Sequence, residues 1–388
     1  MITGEHRKHA DLNRPALGNF GRNEWAIVGA PCVYIKGLAD KIITALSSQY
    51  KCAYADTSHN DEMIAPPGRM ANAAWLEYTD QGNHQQFNYG SVTRPFGLRQ
   101  RFAEADMILV NGNHQQAQAQ VVIIYENKKA SLQKRLEQLT NVQLILLAET
   151  SKDVFDFIKE SIPNWQEIPL YRLEETERII SFFRTKLEQA VPTLNGLVLA
   201  GGKSQRMGFD KGAVNWFGKE QRYFMADMLQ PFCREVFISC KEEQKSGIDI
   251  NYNVLSDTFT GLGPYGAILS AFREYPDNAW LVVACDLPLL DADTIGYLVS
   301  QRDVSKIATA FNSPYDEFAE PLITIWEPKS YPVLLSFLSQ GYSCPRKALI
   351  NNDIRLLDAP DPGTLTNVNT PEELEKIKRV IHQKIAGV

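Results

Sequence analysis

Three cations fall within nine residues beside a pair of glycines: Gly201-Gly202-Lys203, then Arg206 and Lys211. The apolar run Leu197-Val198-Leu199-Ala200 leads directly into them, so the loop follows a buried strand. Glycines at that point let backbone N–H groups approach a phosphate closely and tolerate positive φ. Three cations match about the charge that a triphosphate needs compensated, and an arginine can grip two phosphate oxygens at once. The string is neither G-x-x-x-x-G-K-[ST] nor G-x-G-x-x-G, so its residues alone leave two readings: a phosphate loop of another kind, or a Gly-rich turn with solvated charges. A carboxylate of the right sort lies downstream. In WLVVACDLPLL (280–290), Asp286 ends an apolar strand that Pro288 stops. Open parallel sheets hold ligands at such strand ends, and Mg²⁺ favours a carboxylate that leaves room for water and phosphate oxygens. Between the two, VLSDTFTGLGPYGAI (254–268) places Asp257 at another strand end. Gly261, Gly263, Pro264 and Gly266 then form a tight loop that opens a helix. Small residues there let a base or ribose lie against the backbone.

The segment LAGGKSQRMGFDKG resembles the signature of nucleotidyltransferases that activate sugars, isoprenoid precursors and pterins with a nucleoside triphosphate. Its Asp-Lys-Gly ending is most similar to the MobA-type molybdenum cofactor guanylyltransferases. The resemblance runs in order from residue 194 to about 385. It implies that Leu199, Ala200, Gly201 and Gly202 contact the guanine nucleotide through the backbone, and that Lys211 reaches the phosphates. It makes Asp286 the magnesium aspartate of a C-D-x-P motif, Asp257 a nucleotide contact, and Gly263 part of a Gly-Pro-x-x-G loop. Ser239 departs from the family, which has an asparagine or similar polar residue near the base. FAEPLITIW (318–326) resembles a segment that shapes the acceptor side and carries Glu320. TNVNTPEEL (366–374) resembles a near-terminal motif and carries Asn367 and Asn369, with Thr370-Pro371 as a helix start. Arg346 and Lys347 in SCPRKAL are either a grip on an anionic acceptor or a solvated pair.

The activity implied is transfer of GMP from GTP to the phosphate of Mo-molybdopterin, giving molybdopterin guanine dinucleotide and pyrophosphate with Mg²⁺ as cofactor. Lys211, Arg206 and Lys203 would neutralise the charge that builds during transfer. A phosphate nucleophile is already ionised and needs no general base. Two other readings stay open: a cytidylyltransferase or other nucleotidyltransferase, and a non-catalytic escort that delivers the cofactor to molybdoenzymes.

The first half is placed like a P-loop protein but breaks the motifs. In VGAPCVYIKGLADKI (28–42), counting from Gly29 demands Gly-Lys at 34–35, where the chain has Tyr34-Ile35; Lys36 falls one place late. EADMILVNGN (104–113) ends at Asn111 where a Walker B strand would carry a carboxylate. With KCAYADTSHN, this order resembles a degenerate MobB-type GTP-binding adaptor, which implies a docking or acceptor-presenting module without NTP hydrolysis. An unrelated α/β scaffold is the alternative.

The elements that carry these residues alternate strand and helix, which predicts α/β architecture with two domains, each a mostly parallel sheet flanked by helices. The C-terminal one is expected to be a Rossmann-like nucleotidyltransferase fold. Residues 1–22 read as a flexible lead, 23–191 as the MobB-like domain and 192–388 as the MobA-like domain, with Pro192 stopping a helix over 173–191. The Asn-, Gln-, Gly- and Pro-rich stretch 59–100 reads as loop-heavy, and 128–139 as a helix. Forty basic against 46 acidic residues give a net charge of −6, which weighs against a nucleic-acid surface. No apolar run reaches the ~18 residues of a membrane span. Six scattered cysteines without C-x-x-C suggest free thiols in the cytoplasm, and the six scattered histidines give no zinc spacing.

Overall fold

The computed structural model describes residues 11–58, 67–91, 94–201, 211–368 and 370–386, without the side chains of Lys211, Pro371, Val380 and residues 382–386. The chain divides into two compact units, Ala16–Ala190 and Val191–Val388, the described residues before Ala16 grouping with the second.

Strands of the first unit are β1 (Glu24–Val28), β2 (Cys52–Ala55), β3 (Leu76–Asp80), β4 (Gln85–Tyr89), β5 (Met107–Asn111), β6 (Ala119–Ile124), β7 (Val142–Leu147) and β8 (Leu170–Arg172). Six of them form a sheet in the order β2-β5-β1-β6-β7-β8, with every pairing parallel. MILVN and AQVVII are buried at every position, as continuous apolar runs must be when helices cover both faces. Trp25, Ile27, Leu109, Val121 and Ile123 pack on one face with the helices Cys32–Leu46 and Thr176–Gln189. Val28, Val122, Ile124 and Ile145 pack on the other with Phe155 and Ile158. Ile35, Leu38, Ala39, Ile42 and Leu46 make the buried stripe of the first helix, at the spacing that one helical face requires.

Three local readings are corrected. The stretch 59–100 is not all loop: β3 and β4 pair antiparallel, and Pro95–Arg101 is a helix. Residues 128–139 hold no continuous helix; 3₁₀ turns at Glu126–Lys128 and Leu136–Gln138 flank a short α-helix, Lys129–Gln133. The lead is not flexible throughout residues 11–22. Gly18 to Gly21 form a turn, with Gly18 N–H donating to the Gly21 carbonyl at 2.7 Å, and Phe20 is buried. The cause is Glu24, buried to 2 % exposure. Its carboxylate accepts backbone N–H bonds from Asn19 (2.7 Å), Phe20 (2.6 Å), Gly21 (3.0 Å) and Gln118 (2.8 Å).

Strands of the second unit are β9 (Leu194–Leu199), β10 (Val236–Cys240), β11 (Asn253–Ser256), β12 (Ala279–Ala284), β13 (Ala308–Asn312), β14 (Ala319–Trp326) and β15 (Arg355–Leu357). They lie in the order β11-β10-β9-β12-β14-β13-β15. The first four are mutually parallel; β14 runs antiparallel to both β12 and β13. Alternate side chains of β12 serve two cores. Leu281 and Val283 join Val198, Ile238 and Leu229 on one face, while Trp280 and Val282 join Leu197, Phe237 and Phe272 on the other. Arg302 and the buried Glu327 close this unit with a two-pronged ion pair, 2.6 and 2.9 Å. Thr370 and Glu373 exchange side-chain-to-backbone bonds at 3.2 Å, the capping box that opens the helix Pro371–Ala386.

Replacing Glu24 by Gln leaves one carbonyl oxygen where four N–H groups need acceptors, and turns an amide NH₂ toward donors. Glu24→Gln is expected to lower unfolding free energy by about 2 kcal/mol or more, read as a lower urea midpoint by tryptophan fluorescence. An unchanged midpoint would show that the Gly18–Gly21 turn is held by other means.

Candidate active site

The chain leaves β9 toward β10 and β11 on one side, yet reaches β12 on the other. Strand order therefore reverses at the β9/β12 pair, and the crevice beyond the carboxyl ends of such a pair is where an open α/β sheet leaves room for a ligand. Leu199 is in register with Ala284, so Gly201 and Asp286 each stand two residues past matched strand ends. Buried Cys285 and Leu287 flank Asp286 and anchor it on both sides. The Asp286 carbonyl accepts the Val368 N–H at 2.9 Å. That bond brings half-buried Asn367 and its segment to the same strand end.

On the other side of β9, Ala200 N–H donates to the Ser239 carbonyl at 3.1 Å, and Asp257 N–H to the Cys240 carbonyl at 2.9 Å. The Ser239 hydroxyl donates to Asp257 Oδ1 at 2.6 Å. Burial pushes the Asp257 carboxyl above the usual carboxylate range; the Ser239 hydrogen bond and the Lys241 charge pull the other way. A cleft of about 450 Å³ opens here, its wall including Leu199, Gly201, Ser239, Asp257, Phe259 and Gly263. A Cβ on Gly201 would meet Cys240 Cα at 3.4 Å and Asp257 Oδ2 at 3.5 Å, ordinary contacts. Among the described residues nothing forbids a side chain at Gly201, so its glycine serves the open space of the cleft.

The loop that closes the cleft is rigid by construction. Gly261 and Gly263 have φ of +78° and +57°, the left-handed region that glycine alone enters without strain. A Cβ on Gly266 would lie 2.1 Å from the Phe259 carbonyl oxygen, so only glycine fits there. Ser270 Oγ accepts from the N–H groups of Thr258 (2.9 Å) and Phe259 (3.1 Å) and donates to the Gly266 carbonyl (2.7 Å). The N–H groups of Thr260, Gly261 and Gly263 have no acceptor among the described residues. A wall of fixed backbone donors beside Ser239 and Asp257 suits a planar, hydrogen-bonding heterocycle. Ser270 was not foreseen from sequence, because a serine inside a helix carries no signal of what it clamps. Lys241, which also lines the cleft, was hidden among neighbouring charged residues.

Leu199, Ala200, Gly201, Asp257, Gly263 and Asp286 thus gather along one sheet edge. Gly202, Lys203, Arg206 and Asn369 lie outside the described residues; Lys211 opens the 3₁₀ turn Lys211–Ala213, and its side chain is likewise outside. Glu320 is buried on β14, its Oε2 3.7 Å from Arg346 Nη2, while Arg346 Nη1 is 2.7 Å from Asp316 Oδ2. Two carboxylates thus face the half-buried Arg346, and an anionic acceptor would compete with them for it. Exposed Lys347 sits 4.7 Å from the Tyr342 ring centre.

Residues 196–353 match the family model described as a MobA-like NTP transferase domain. Over 193 residues the chain is 32% identical to the molybdenum cofactor biosynthesis bifunctional protein of Synechocystis, covering 50% of this chain and 56% of that one. It is 28% identical over 193 residues to the molybdenum cofactor guanylyltransferase of Shewanella sediminis, covering 48% of this chain and 97% of that one. So the chain spans about half the length of the first relative and nearly all of the second. A solved structure of molybdopterin-guanine dinucleotide biosynthesis protein A from Archaeoglobus fulgidus superposes with a TM-score of 0.43 at 19% identity, over 49% of this chain and 99% of that one.

A carboxyl whose native pKa is raised favours folding most when protonated. The Asp257 contribution therefore falls as pH rises from the unfolded carboxylate range, about 4, through its higher native value. Asp257→Asn keeps an acceptor for Ser239 without the buried charge. Its urea midpoint relative to the parent is expected to rise across that window and stay level above it. A difference that does not change with pH would show that the carboxylate is not destabilised by burial.

Proposed function

We propose that the second unit is a guanylyltransferase that moves GMP from GTP to the phosphate of Mo-molybdopterin, releasing pyrophosphate. The observation that carries this reading is the register of β9 and β12, which sets the Gly201 turn beside Asp286, with the Asp257–Gly263 cleft adjoining. The match over residues 196–353 and the names of the two relatives support it.

In this reading the guanine lies against the Gly261–Gly263 backbone, with Ser239 and Asp257 at its edge. The triphosphate runs past Gly201 and Gly202 toward Lys203, Arg206 and Lys211. Those cations neutralise charge on the α-phosphorus and on the leaving pyrophosphate, where positioning and electrostatics carry most of the rate. Asn367 and Asn369 border the acceptor phosphate, which attacks without a general base; Glu320, with Arg346 beside it, and Lys347 belong to the acceptor side. Asp286 would hold Mg²⁺. Its donor chemistry fits, since a hard cation takes carboxylate oxygen and keeps positions for water and phosphate. Among the described residues no three His, Cys, Asp or Glu side chains converge as a self-sufficient cage. Bound there, Mg²⁺ would supply further neutralisation of phosphate charge.

We read residues 23–191 as a MobB-related docking or acceptor-presenting module, with molybdoenzymes or other cofactor-biosynthesis proteins as partners in the cytoplasm. Among the described residues no helix is long and apolar enough to cross a membrane.

Calorimetry of the full chain with GTP, CTP, ATP and UTP, each with and without Mg²⁺, tests the reading. GTP-selective, Mg²⁺-dependent binding is expected. CTP selectivity would turn the assignment to cytidylyl transfer, and no nucleotide binding would leave the escort role. Lys211→Ala is expected to cut turnover about 100-fold or more with an unchanged unfolding midpoint; undiminished turnover would remove Lys211 from the chemistry.

A further inference from the structure

We propose that Cys32, His114 and Asp56 of the first unit form a separate nucleophilic site, built to take an acyl group from a small ester or thioester onto the Cys32 thiol. Strands β1, β5 and β2 are neighbours and all parallel. Cys32 opens the helix after β1, His114 follows the end of β5, and Asp56 follows the end of β2. The three therefore meet at one carboxyl edge, where α/β sheets place their chemistry.

Cys32 Sγ lies 3.5 Å from His114 Nε2, and His114 Nδ1 lies 2.7 Å from Asp56 Oδ1. The imidazole is 5% exposed and the carboxylate 15%. Other groups also face Asp56: the Tyr54 hydroxyl donates to Oδ2 at 3.0 Å, the Thr57 N–H donates to Oδ1 at 2.7 Å, and Lys36 Nζ stands 3.4 Å from Oδ2. Burial works against its charge, but the hydrogen bonds from Thr57, His114 and Tyr54, with the Asn111 amide nearby, outweigh it and hold the carboxyl at about 2. An ionised carboxylate only accepts, so His114 Nδ1 carries a proton, and Nε2 is the ring nitrogen that faces the thiol. This is the order of a nucleophile, its base and the group that orients the base. It is not a metal cage, because Asp56 binds the opposite nitrogen of the same ring that faces Cys32.

The nucleophile is rigidly placed. Gly29 has φ +98°, and a Cβ there would lie 2.4 Å from the Ile123 carbonyl oxygen. Asn113 Nδ2 donates to the Ala30 carbonyl at 2.8 Å, tying the loop after β5 to the turn before Cys32. Only Gly29 to Pro31 join β1 to the helix. Where a phosphate loop would need its Gly-Lys pair, Ile35 is fully buried in the core and Lys36 is turned to Asp56. The Cys32 and Val33 N–H groups have no acceptor among the described residues, and Pro31 gives no side-chain cap. Two donors at the start of a 15-residue helix favour a thiolate and an acyl oxyanion alike.

The chemistry balances without an outside oxidant or reductant. The Cys32 S–H proton passes to His114 Nε2 as sulfur attacks the carbonyl carbon. The carbon–oxygen or carbon–sulfur bond to the leaving group breaks, and that group departs with the proton from His114. Water then attacks the acyl-thioester, releases the carboxylic acid and returns the proton to sulfur.

The test uses the full chain. Iodoacetamide labelling between about pH 5.5 and 9, read by peptide mass spectrometry, compares Cys32 with Cys344, an exposed free cysteine in the other unit. Cys32 is expected to label about tenfold faster than Cys344 at pH 6. His114→Asn is expected to bring its rate down to that of Cys344, and Asp56→Asn to bring it partway. p-Nitrophenyl acetate is expected to release about one equivalent of nitrophenolate in a burst and leave acetyl on Cys32. Cys32→Ala, which removes only the thiol, abolishes the burst. Labelling of Cys32 that parallels Cys344 at every pH, or acetylation without a Cys32-dependent burst, overturns the proposal.

Discussion

The parallel pairing of β9 with β12 is the constraint on which the second unit depends. Six matched positions, Leu194 with Ala279 through Leu199 with Ala284, set two strand ends level. A slip of one residue would turn Leu281 and Val283 into the core now filled by Trp280 and Val282, and reverse every side chain. Each buried aliphatic side chain contributes roughly 1.5–3 kcal/mol, so two cores together hold the register against any such slip. Gly201 and Asp286 inherit their proximity from that packing.

Around this edge, polar groups are held by structure rather than by exposure. Ser270 ties two N–H groups of the loop, Thr258 and Phe259, to the Gly266 carbonyl of the helix that follows, while the N–H groups of Thr260, Gly261 and Gly263 have no acceptor among the described residues. Asp257 keeps a raised carboxyl pKa because burial outweighs the Ser239 hydrogen bond and the Lys241 charge. The glycine loop, fixed at Gly261, Gly263 and Gly266, prevents relief of that cost by collapse.

Both units place chemistry at the carboxyl edge of parallel strands, but the turns differ. In the second unit β9 runs into glycines and a cationic segment. In the first, β1 runs into a three-residue turn and a cysteine, with a buried imidazole and an ionised carboxylate behind it. The same architecture therefore ends in glycines and cations in one case and in a thiol, an imidazole and a carboxylate in the other, and the loop residues alone make the difference.

By itself the sequence determined the burial pattern. Runs such as MILVN and AWLVVA, apolar at nearly every position, mark strands covered on both faces, and Gly-rich or Pro-stopped ends mark where those strands stop. Gly201 and Asp286 were legible because each closely follows such a run, and Gly263 because it opens a helix beside Pro264. The β3–β4 hairpin was not, because Gln and Asn alternate with its aromatic side chains and leave no apolar run. The Gly18–Gly21 turn was not, because its cause is one buried carboxylate rather than a pattern. Tertiary structure decided what meets what. Asp56 and His114 come together because β5 lies between β1 and β2, and Arg346 is held because Asp316 and Glu320 face it. Burial is a property that a short window of residues carries; strand order and register follow from packing between residues far apart, and no window contains them.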